Sequence, residues 1–573
     1  MVLSQFKPVL MIRLAIILSI CLLASCGGGN SQTASASGSS QATTEQTEPS
    51  EPSEPSEQSE PEPEPEVITV PYDSPRAGKI DGAQIWQLPN SPDNSRPDQC
   101  WLAVGSDING DIYISGHDHR QNSMLYRMYQ KDQTLRYVGD ARSASIAAGN
   151  WLSGETAEKF HTRPIYHNGQ VYVATLDTSD MNNSYLNTRG FHWYNYNLST
   201  ETFVDLSATE PDGVGAEHLQ IVTIQKDPKN NLLYGMSIPE NKLVRYDIAL
   251  GETTVLGRPS AWKNFFYSNR FMWVDSRGRV YISGGSSRNQ WHKGESASTF
   301  NHIWYYDPAT GFGELANFPL QGPNAMEVGQ WDRTRQRLYT SDDQGNIYRF
   351  DDAAASWEFL GRPNFSSALK TWVFQLSADE QKIYIGLSDG GRPNPNAIYE
   401  YDIASGSSFE LLKISELDNL AAVENFITGY DSWDSKGSFY ISNFSMYDGD
   451  NTFMLGINPV RIKVAKGLLP ELVEVSAESV NDMIAIDRTG SSTDSLEVLY
   501  VVRAYDADEK IVAETQGVLT LPTGESRLLV DPNNLTLPQA ATADSTAFSV
   551  VADGNDYIVS TEKKLGLPNS EAP

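Results

Sequence analysis

Short stretches in which apolar and polar positions alternate recur along most of this chain, and each stretch follows a turn. The clearest marker is a turn followed by an apolar or aromatic residue and a tyrosine, and it occurs seven times: Ile112-Tyr113, Val171-Tyr172, Leu233-Tyr234, Val280-Tyr281, Leu338-Tyr339, Ile383-Tyr384 and Phe439-Tyr440. Downstream of six of them an aromatic residue precedes Asp, Asn or Gln, as in Tyr246-Asp247 and Tyr306-Asp307. Short strands bounded by turn residues predict an all-β chain.

The repeat predicts the blades of a β-propeller. Each unit has room for four short strands, and its closing strand is visible in segments such as Phe203-Val204-Asp205-Leu206 and Trp357-Glu358-Phe359-Leu360. Four-stranded units at a fixed spacing are typical of propeller blades. We therefore predict a seven-bladed β-propeller over residues 67–466, and we expect the apolar strand 67–70 to complete the last blade.

The pattern changes after residue 466. Alternating segments at 496–502 and 547–551, separated by turn clusters such as 489–492, lack the blade marker. We predict a small β-sandwich-like accessory domain over residues 467–573.

The N-terminus predicts export. Lys7 and Arg13 precede an apolar run at 14–23, and Leu23-Ala24-Ser25-Cys26 follows it. This form is similar to a bacterial lipoprotein signal peptide over residues 1–26, which implies lipidation at Cys26 and a membrane-anchored place in the cell envelope, with the outer membrane favoured. A plain secretory signal and an uncleaved anchor are the alternatives. Residues 27–66 are rich in Ser, Glu and Pro and predict a disordered tether.

The net charge limits the class of binding partner, and the cysteine content limits the disulfide bonds that the exported protein could form. The formal net charge is -30, which argues against nucleic acid as a partner, because a protein that binds a phosphate backbone needs a basic surface. After cleavage only Cys26 and Cys100 would remain. We expect Cys100 to be a small buried apolar residue, with no disulfide framework.

The positions of the histidines predict that most of them lie on one face of the ring, here called the rim, where a functional site would form. In a blade, the first strand starts, the second ends and the third starts on the same face of the ring. Seven of the eight histidines fall at such places: His161 and His218 at first strands, His117, His119 and His292 after second strands, and His192 and His302 at third strands. His167 alone sits in a turn on the opposite face.

Tyr267 and Arg270 lie at the start of the predicted first strand of the fourth blade, and Arg288 follows the end of its second strand. Removing a proton beside a carboxylate needs a cation that neutralises the carboxylate, together with a positioned base and acid. Histidine, tyrosine and arginine supply these groups, which favours β-elimination of a uronate-containing polysaccharide. Serine-nucleophile and phosphate-loop motifs are absent from the sequence, and paired acids for a glycosidase are few.

The chain resembles the propeller-type ulvan lyases of marine bacteria. The resemblance rests on the lipoprotein leader, the seven repeats, His161, the element Arg189-Gly190-Phe191-His192, and Tyr267 followed by Arg288. It implies that His161 and Tyr267 transfer protons, while His192 and Arg288, or Arg270 in place of Arg288, neutralise the uronate carboxylate. Substrate-binding candidates on the same rim are His117, His119, His218, Arg270 and Trp193.

Metal sites and other functions stay open. No cofactor is expected for the chemistry, but the resemblance makes a structural metal plausible, with His292, His302 and a third ligand such as Glu295 as candidates for Zn²⁺. Residues 448–451 are a candidate Ca²⁺ loop or an ordinary turn.

One alternative function is a non-catalytic glycan-binding lipoprotein in which Trp193, Trp291 and Trp372 stack on sugars. Another is a scaffold for envelope assembly.

Overall fold

Short antiparallel strands dominate the computed structural model, which confirms the predicted all-β chain. It describes residues 69–70, 81–93, 95–101, 104–118, 121–177, 188–238, 241–258, 271–284, 302–315, 326–342, 344–363, 370–388, 397–417, 426–444, 452–507, 510–538, 543–561 and 563–567. Within these ranges the α-helices are Ala141–Ala147 and Pro459–Ala465, capped by the side chains of Asp140 and Asn458. Neither is long and apolar enough to cross a membrane.

In the described residues before 458, most strands fall into antiparallel runs of four, here called repeat units 1 to 7; unit 1 carries a fifth strand, and units 6 and 7 share one eight-stranded sheet. Their strands, from first to fourth, are Val104–Ser106, Ile112–His117, Ser123–Tyr129 and Thr134–Asp140; Ile165–His167, Gln170–Ala174, Trp193–Asn197 and Thr202–Asp205; Gln220–Asp227, Leu232–Ile238, Leu243–Asp247 and Glu252–Gly257; Met272–Val274, Val280–Gly284, His302–Asp307 and Gly311–Leu315; Met326–Trp331, Arg337–Asp342, Ile347–Asp351 and Ser356–Gly361; Lys370–Leu376, Lys382–Ser388, Ala397–Asp402 and Ser408–Lys413; and Phe426–Tyr430, Phe439–Phe444, Phe453–Ile457 and Ala83–Gln87.

The first strands hold the units together. The first strand of unit 1 contacts those of units 2 and 7, and the first strand of unit 3 contacts those of units 2 and 4. Units 6 and 7 even pair in parallel through their first strands, with Val373 opposite Gly429. Because the last unit returns to the first, the first strands surround a common axis.

The seven marker tyrosines lie on the second strands, and each is at most 3% exposed. Several donate a hydrogen bond to an aspartate at the preceding turn, as Tyr113 does to Asp107 Oδ2 at 3.1 Å and Tyr440 does to Asp434 Oδ2 at 3.0 Å. The other carboxylate oxygen of Asp107 accepts from the backbone N–H groups of Asn109 and Asp111. Each such aspartate therefore ties a turn to the core, which explains why turn and tyrosine recur together.

The strand that completes unit 7 differs from the prediction. Ala83–Gln87 pairs with Phe453–Ile457, whereas Thr69–Val70 pairs with the fourth strand of unit 1 and becomes its fifth strand. Ile85 and Trp86 are at most 2% exposed, so the closing strand fills a core position.

Residues after the second helix form two four-stranded sheets that share one apolar core. Their strands, in sheet order, are Arg527–Val530, Met483–Thr489, Glu474–Val480 and Ile558–Thr561 in one sheet, and Ile511–Leu521, Leu496–Tyr505, Ser545–Val550 and Leu565–Leu567 in the other. Shorter elements are the strand pair Gly190–Phe191 and Ala216–Glu217 and the 3-10 turns Ser207–Thr209, Pro211–Gly213, Ile414–Glu416 and Pro532–Asn534. Cys100 is fully buried in an apolar cluster, as predicted.

Candidate functional site

β-Bulges reshape three first strands at equivalent places near the axis. The bulged residues are Val222 in unit 3, Glu327 in unit 5 and Trp372 in unit 6. In each unit the bulge begins opposite the third residue after the marker tyrosine. A bulge redirects the side chain and carbonyl of its strand, and bulges concentrate beside functional sites. Near this end of the first strands, therefore, the ring departs from regular pairing in a repeated way.

His161 lies at this end of the ring, just before the first strand of unit 2. Its Nδ1 is 2.8 Å from the carbonyl oxygen of Val222 in unit 3. Its ring stacks on Trp101, which precedes the first strand of unit 1, with 5.8 Å between the ring centroids. Trp101 in turn approaches Trp372 of unit 6 at 6.2 Å. Groups from four units thus meet, and we name Trp101, His161, Val222 and Trp372 the axial mouth.

The Val222 carbonyl determines which ring nitrogen of His161 carries the proton. A carbonyl oxygen only accepts hydrogen bonds, so Nδ1 carries the proton. In the neutral imidazole the basic lone pair then resides on Nε2. His161 is 8% exposed. The arrangement suits a proton-transfer group that is held in one tautomer by the neighbouring unit.

Arg163, two residues after His161, is a cation that the sequence analysis did not single out. Its Nε donates to the carbonyl of Val104 in unit 1 at 3.2 Å, and its NH2 donates to Asp431 Oδ2 beside unit 7 at 2.7 Å. The guanidinium also lies 4.8 Å from the centre of the Tyr430 ring. Burial raises the pKa of Tyr430 to about 12, against the opposing effect of Arg163. Arg163 therefore links three units around the axis.

His192 occupies a separate, closed cluster. Its Nδ1 is 2.9 Å from Asp205 Oδ2, and its Nε2 is 3.2 Å from Glu155 Oε1. Arg189 also binds Glu155, through two hydrogen bonds of 2.9 Å from NH2. Both ring nitrogens face protein carboxylates, and the side chain is 5% exposed. In this structure the ring of His192 faces two protein carboxylates rather than an open site, and its predicted role in neutralising a substrate carboxylate stays a prediction.

The pKa of His192 follows from the same contacts. Burial acts to lower it, but the hydrogen bonds to Asp205 and Glu155 outweigh burial and raise it above the ordinary value. Burial likewise acts to raise the pKa of Asp205, yet hydrogen bonding by His192 and its neighbours holds it below the usual range. His192 and Asp205 are therefore both charged at a pH between their two pKa values.

We expect His192→Gln to destabilise the protein in a pH-dependent way. Because the folded-state pKa of His192 is raised, the imidazolium stabilises the fold fully below the unfolded-state pKa of about 6.5, and this contribution is lost as the pH rises through the folded-state value. Chemical denaturation should show a difference of about 1.5–3 kcal/mol between wild type and variant at mildly acidic pH. The difference should shrink in alkaline buffer. A constant difference over this range would show that folding leaves the pKa of His192 unchanged, contrary to the direction expected from its contacts.

Trp193 is part of the core. It is fully buried, its Nε1 donates to Thr253 Oγ1 at 3.0 Å, and its ring packs on Phe191 and Tyr246. The prediction that Trp193 stacks on a substrate sugar is therefore wrong, since no face of its ring reaches solvent.

Other predicted residues are scattered or lie outside the described residues. His117 ends the second strand of unit 1 and is fully buried, whereas His218 is exposed, with Nδ1 2.8 Å from the carbonyl of Thr188. His167 ends the first strand of unit 2, away from the mouth, with Nε2 2.7 Å from Asn231 Oδ1. Outside the description are Cys26, His119, Tyr267, Arg270, Arg288, Trp291, His292, Glu295, residues 448–451 and the side chain of His302.

The metal predictions stay predictions. In the described part of the chain, no three His, Cys, Asp or Glu side chains group as a metal site requires. Because His292 and the side chain of His302 lie outside that part, this finding leaves the Zn²⁺ prediction untested.

Comparison with known proteins finds similarity in structure. No protein-family model matches the chain, and no curated protein matches it. A structural match is the crystal structure of the β-propeller domain of Cps50 (Swd1) from Myceliophteria thermophila. The two share 10% sequence identity with a TM-score of 0.39, over 63% of this chain and 96% of that chain.

Proposed function

We propose that residues 67–466 form a seven-bladed β-propeller that cleaves an anionic, uronate-containing polysaccharide such as ulvan by β-elimination at the axial mouth. Residues 467–573 would be a β-sandwich accessory domain, and a lipid on Cys26 would anchor the protein in the cell envelope. The observation that carries the proposal is the placement of His161, which the Val222 carbonyl holds in one tautomer beside Trp101.

His161 and Trp101 have direct parts in this reaction. The Nε2 of His161 takes the proton next to the uronate carboxylate, and the half-buried Trp101 ring offers an apolar face to the sugars. Elimination then breaks the glycosidic C–O bond at the neighbouring carbon and leaves a C=C bond conjugated with the carboxylate. The departing oxygen needs a proton, for which Tyr267 is the candidate.

We assign neutralisation of the uronate carboxylate to arginine, because Asp205 and Glu155 of the protein already face the ring of His192. Arg270 and Arg288 keep this proposed role from the sequence, since they flank the first two strands of unit 4. Arg163 adds a cation near the axis, although Asp431 balances part of its charge.

The direct test is an assay of the full chain on uronate polysaccharides, ulvan among them. Elimination creates an unsaturated uronate whose ultraviolet absorbance rises with turnover, whereas hydrolysis creates none. We expect a continuous rise on at least one of these substrates. Reducing ends that appear without this absorbance would instead identify a hydrolase.

A second candidate is a non-catalytic glycan receptor. The stacked Trp101 and His161 rings, with Trp372 beside them, favour it, because aromatic faces bind sugars without any chemistry. Binding of a uronate polysaccharide that depends on Trp101 but yields no unsaturated product would support this receptor and reject the lyase.

A further inference from the structure

A cavity lies at the seam between unit 6 and the C-terminal sheets. It has a volume of about 370 Å³ and is lined by residues of both, including Lys382, Glu400, Phe409, Lys463, Leu468 and Asn555. We call it the seam cavity. Its size is within the range of small-molecule sites.

The walls of the seam cavity are held in place from both sides. The hydroxyl of Tyr384 in unit 6 donates to the carbonyl of Gly554 at 2.7 Å, and the backbone N–H of Ala378 donates to the carbonyl of Asp553 at 2.9 Å. Lys463 Nζ donates to the carbonyl and to the side-chain oxygen of Asn555, at 2.8 and 2.9 Å. The cavity is therefore preformed rather than a gap between loosely packed parts.

A buried carboxylate oxygen in this cavity has an unused acceptor capacity. The Glu400 side chain is 5% exposed, and its Oε2 accepts no hydrogen bond from the described residues. Lys463 Nζ lies 3.4 Å from that oxygen, so the charge is opposed, but the hydrogen bonds of the ammonium go to Asn555. A buried acceptor without a donor costs free energy. A ligand with a hydroxyl group would recover that energy.

The remaining walls define the class of ligand. Phe409 is 39% exposed and Leu468 is 55% exposed, so the cavity opens to solvent past two apolar side chains. Lys382 pairs with Asp402 as Lys463 pairs with Glu400. Because each of these two lysines is paired with a protein carboxylate, neither is left to bind an anionic ligand. A neutral molecule with hydroxyl groups and one apolar face fits these walls.

We propose that the seam cavity binds a neutral saccharide, with a sugar hydroxyl donating to Glu400 Oε2 and the apolar face of the ring lying on Phe409. This site is independent of the reaction at the axial mouth. It gives the C-terminal sheets a function, because half of the cavity exists only when they pack on unit 6.

The test is a titration of the full chain with cellobiose, maltose and lactose, and with glucuronic acid as the anionic counterpart, followed by calorimetry or ligand-observed NMR. We expect at least one neutral disaccharide to bind and Phe409→Ala to weaken it by about tenfold or more. Phe359→Ala is the matched control, since Phe359 is 38% exposed on the fourth strand of unit 5. Its affinity should equal that of the wild type.

Glu400→Gln gives a second readout with little change of shape. This substitution should also weaken the binding of the neutral disaccharide. The melting temperature of the variant shows whether the loss of the Lys463 ion pair has disturbed the fold. Both seam variants should retain wild-type turnover at the axial mouth if that activity exists, so either proposal is able to fail alone. Absence of binding by every neutral disaccharide, or equal affinity in Phe409→Ala and wild type, would overturn the saccharide site.

Discussion

Replacing His161 by alanine is expected to lower the rate of uronate elimination by about 10²–10⁴-fold, the usual contribution of a positioned proton-transfer group. The Val222 carbonyl holds the imidazole in the tautomer whose Nε2 is basic. Binding of the polysaccharide should change much less, because Trp101 remains. Initial rates of unsaturated product formation, with affinity measured separately, provide the test.

His167→Ala is the control for that experiment. His167 belongs to the same unit but lies at the far end of its first strand, bonded to Asn231. Its removal should leave the elimination rate close to that of the wild type. A loss of less than tenfold in His161→Ala would remove His161 from the chemistry.

Trp193→Ala is expected to reduce the free energy of unfolding by about 3–5 kcal/mol, as large-to-small changes in a packed core do. Trp193 is fully buried between Phe191 and Tyr246, and its indole N–H is satisfied by Thr253. Alanine would leave a cavity and an unpaired hydroxyl acceptor. Urea denaturation at one pH provides the measurement.

Trp151→Ala gives the comparison. Trp151 is half-buried and its ring lies 6.0 Å from the Arg142 guanidinium, so its loss should cost clearly less than that of Trp193. If Trp193→Ala kept wild-type stability but lost affinity for polysaccharide, the buried position described here would be wrong and the sugar-stacking role would return.

The repeated sheets were predictable because their signal is local. Each marker tyrosine sits within a few residues of its turn, and the aspartate that binds Tyr113 or Tyr440 is only six residues away. The closing strand was not predictable in this way. Residues 67–70 and Ala83–Gln87 are both short and rich in apolar residues, and which of them pairs with Phe453–Ile457 depends on contacts between opposite ends of the chain.

His192 illustrates the same limit within a site. Its place beside the third strand of unit 2 was predicted, since Trp193–Asn197 follows it directly. Its partners were not, because Glu155 and Asp205 come from other segments and no spacing rule joins the three residues. The bulges at Val222, Glu327 and Trp372 were missed for a similar reason, as a bulge appears only when two strands are paired.

The most direct test of the axial site is a crystal structure of the His161→Ala variant soaked with a uronate oligosaccharide from a polysaccharide that the protein binds. We predict that the sugars lie across the axial mouth, against Trp101, with a uronate ring over the position of the missing imidazole. Sugar bound instead at the His192 cluster, or clear binding in solution with an axial mouth that stays empty in the crystal, would contradict the central claim.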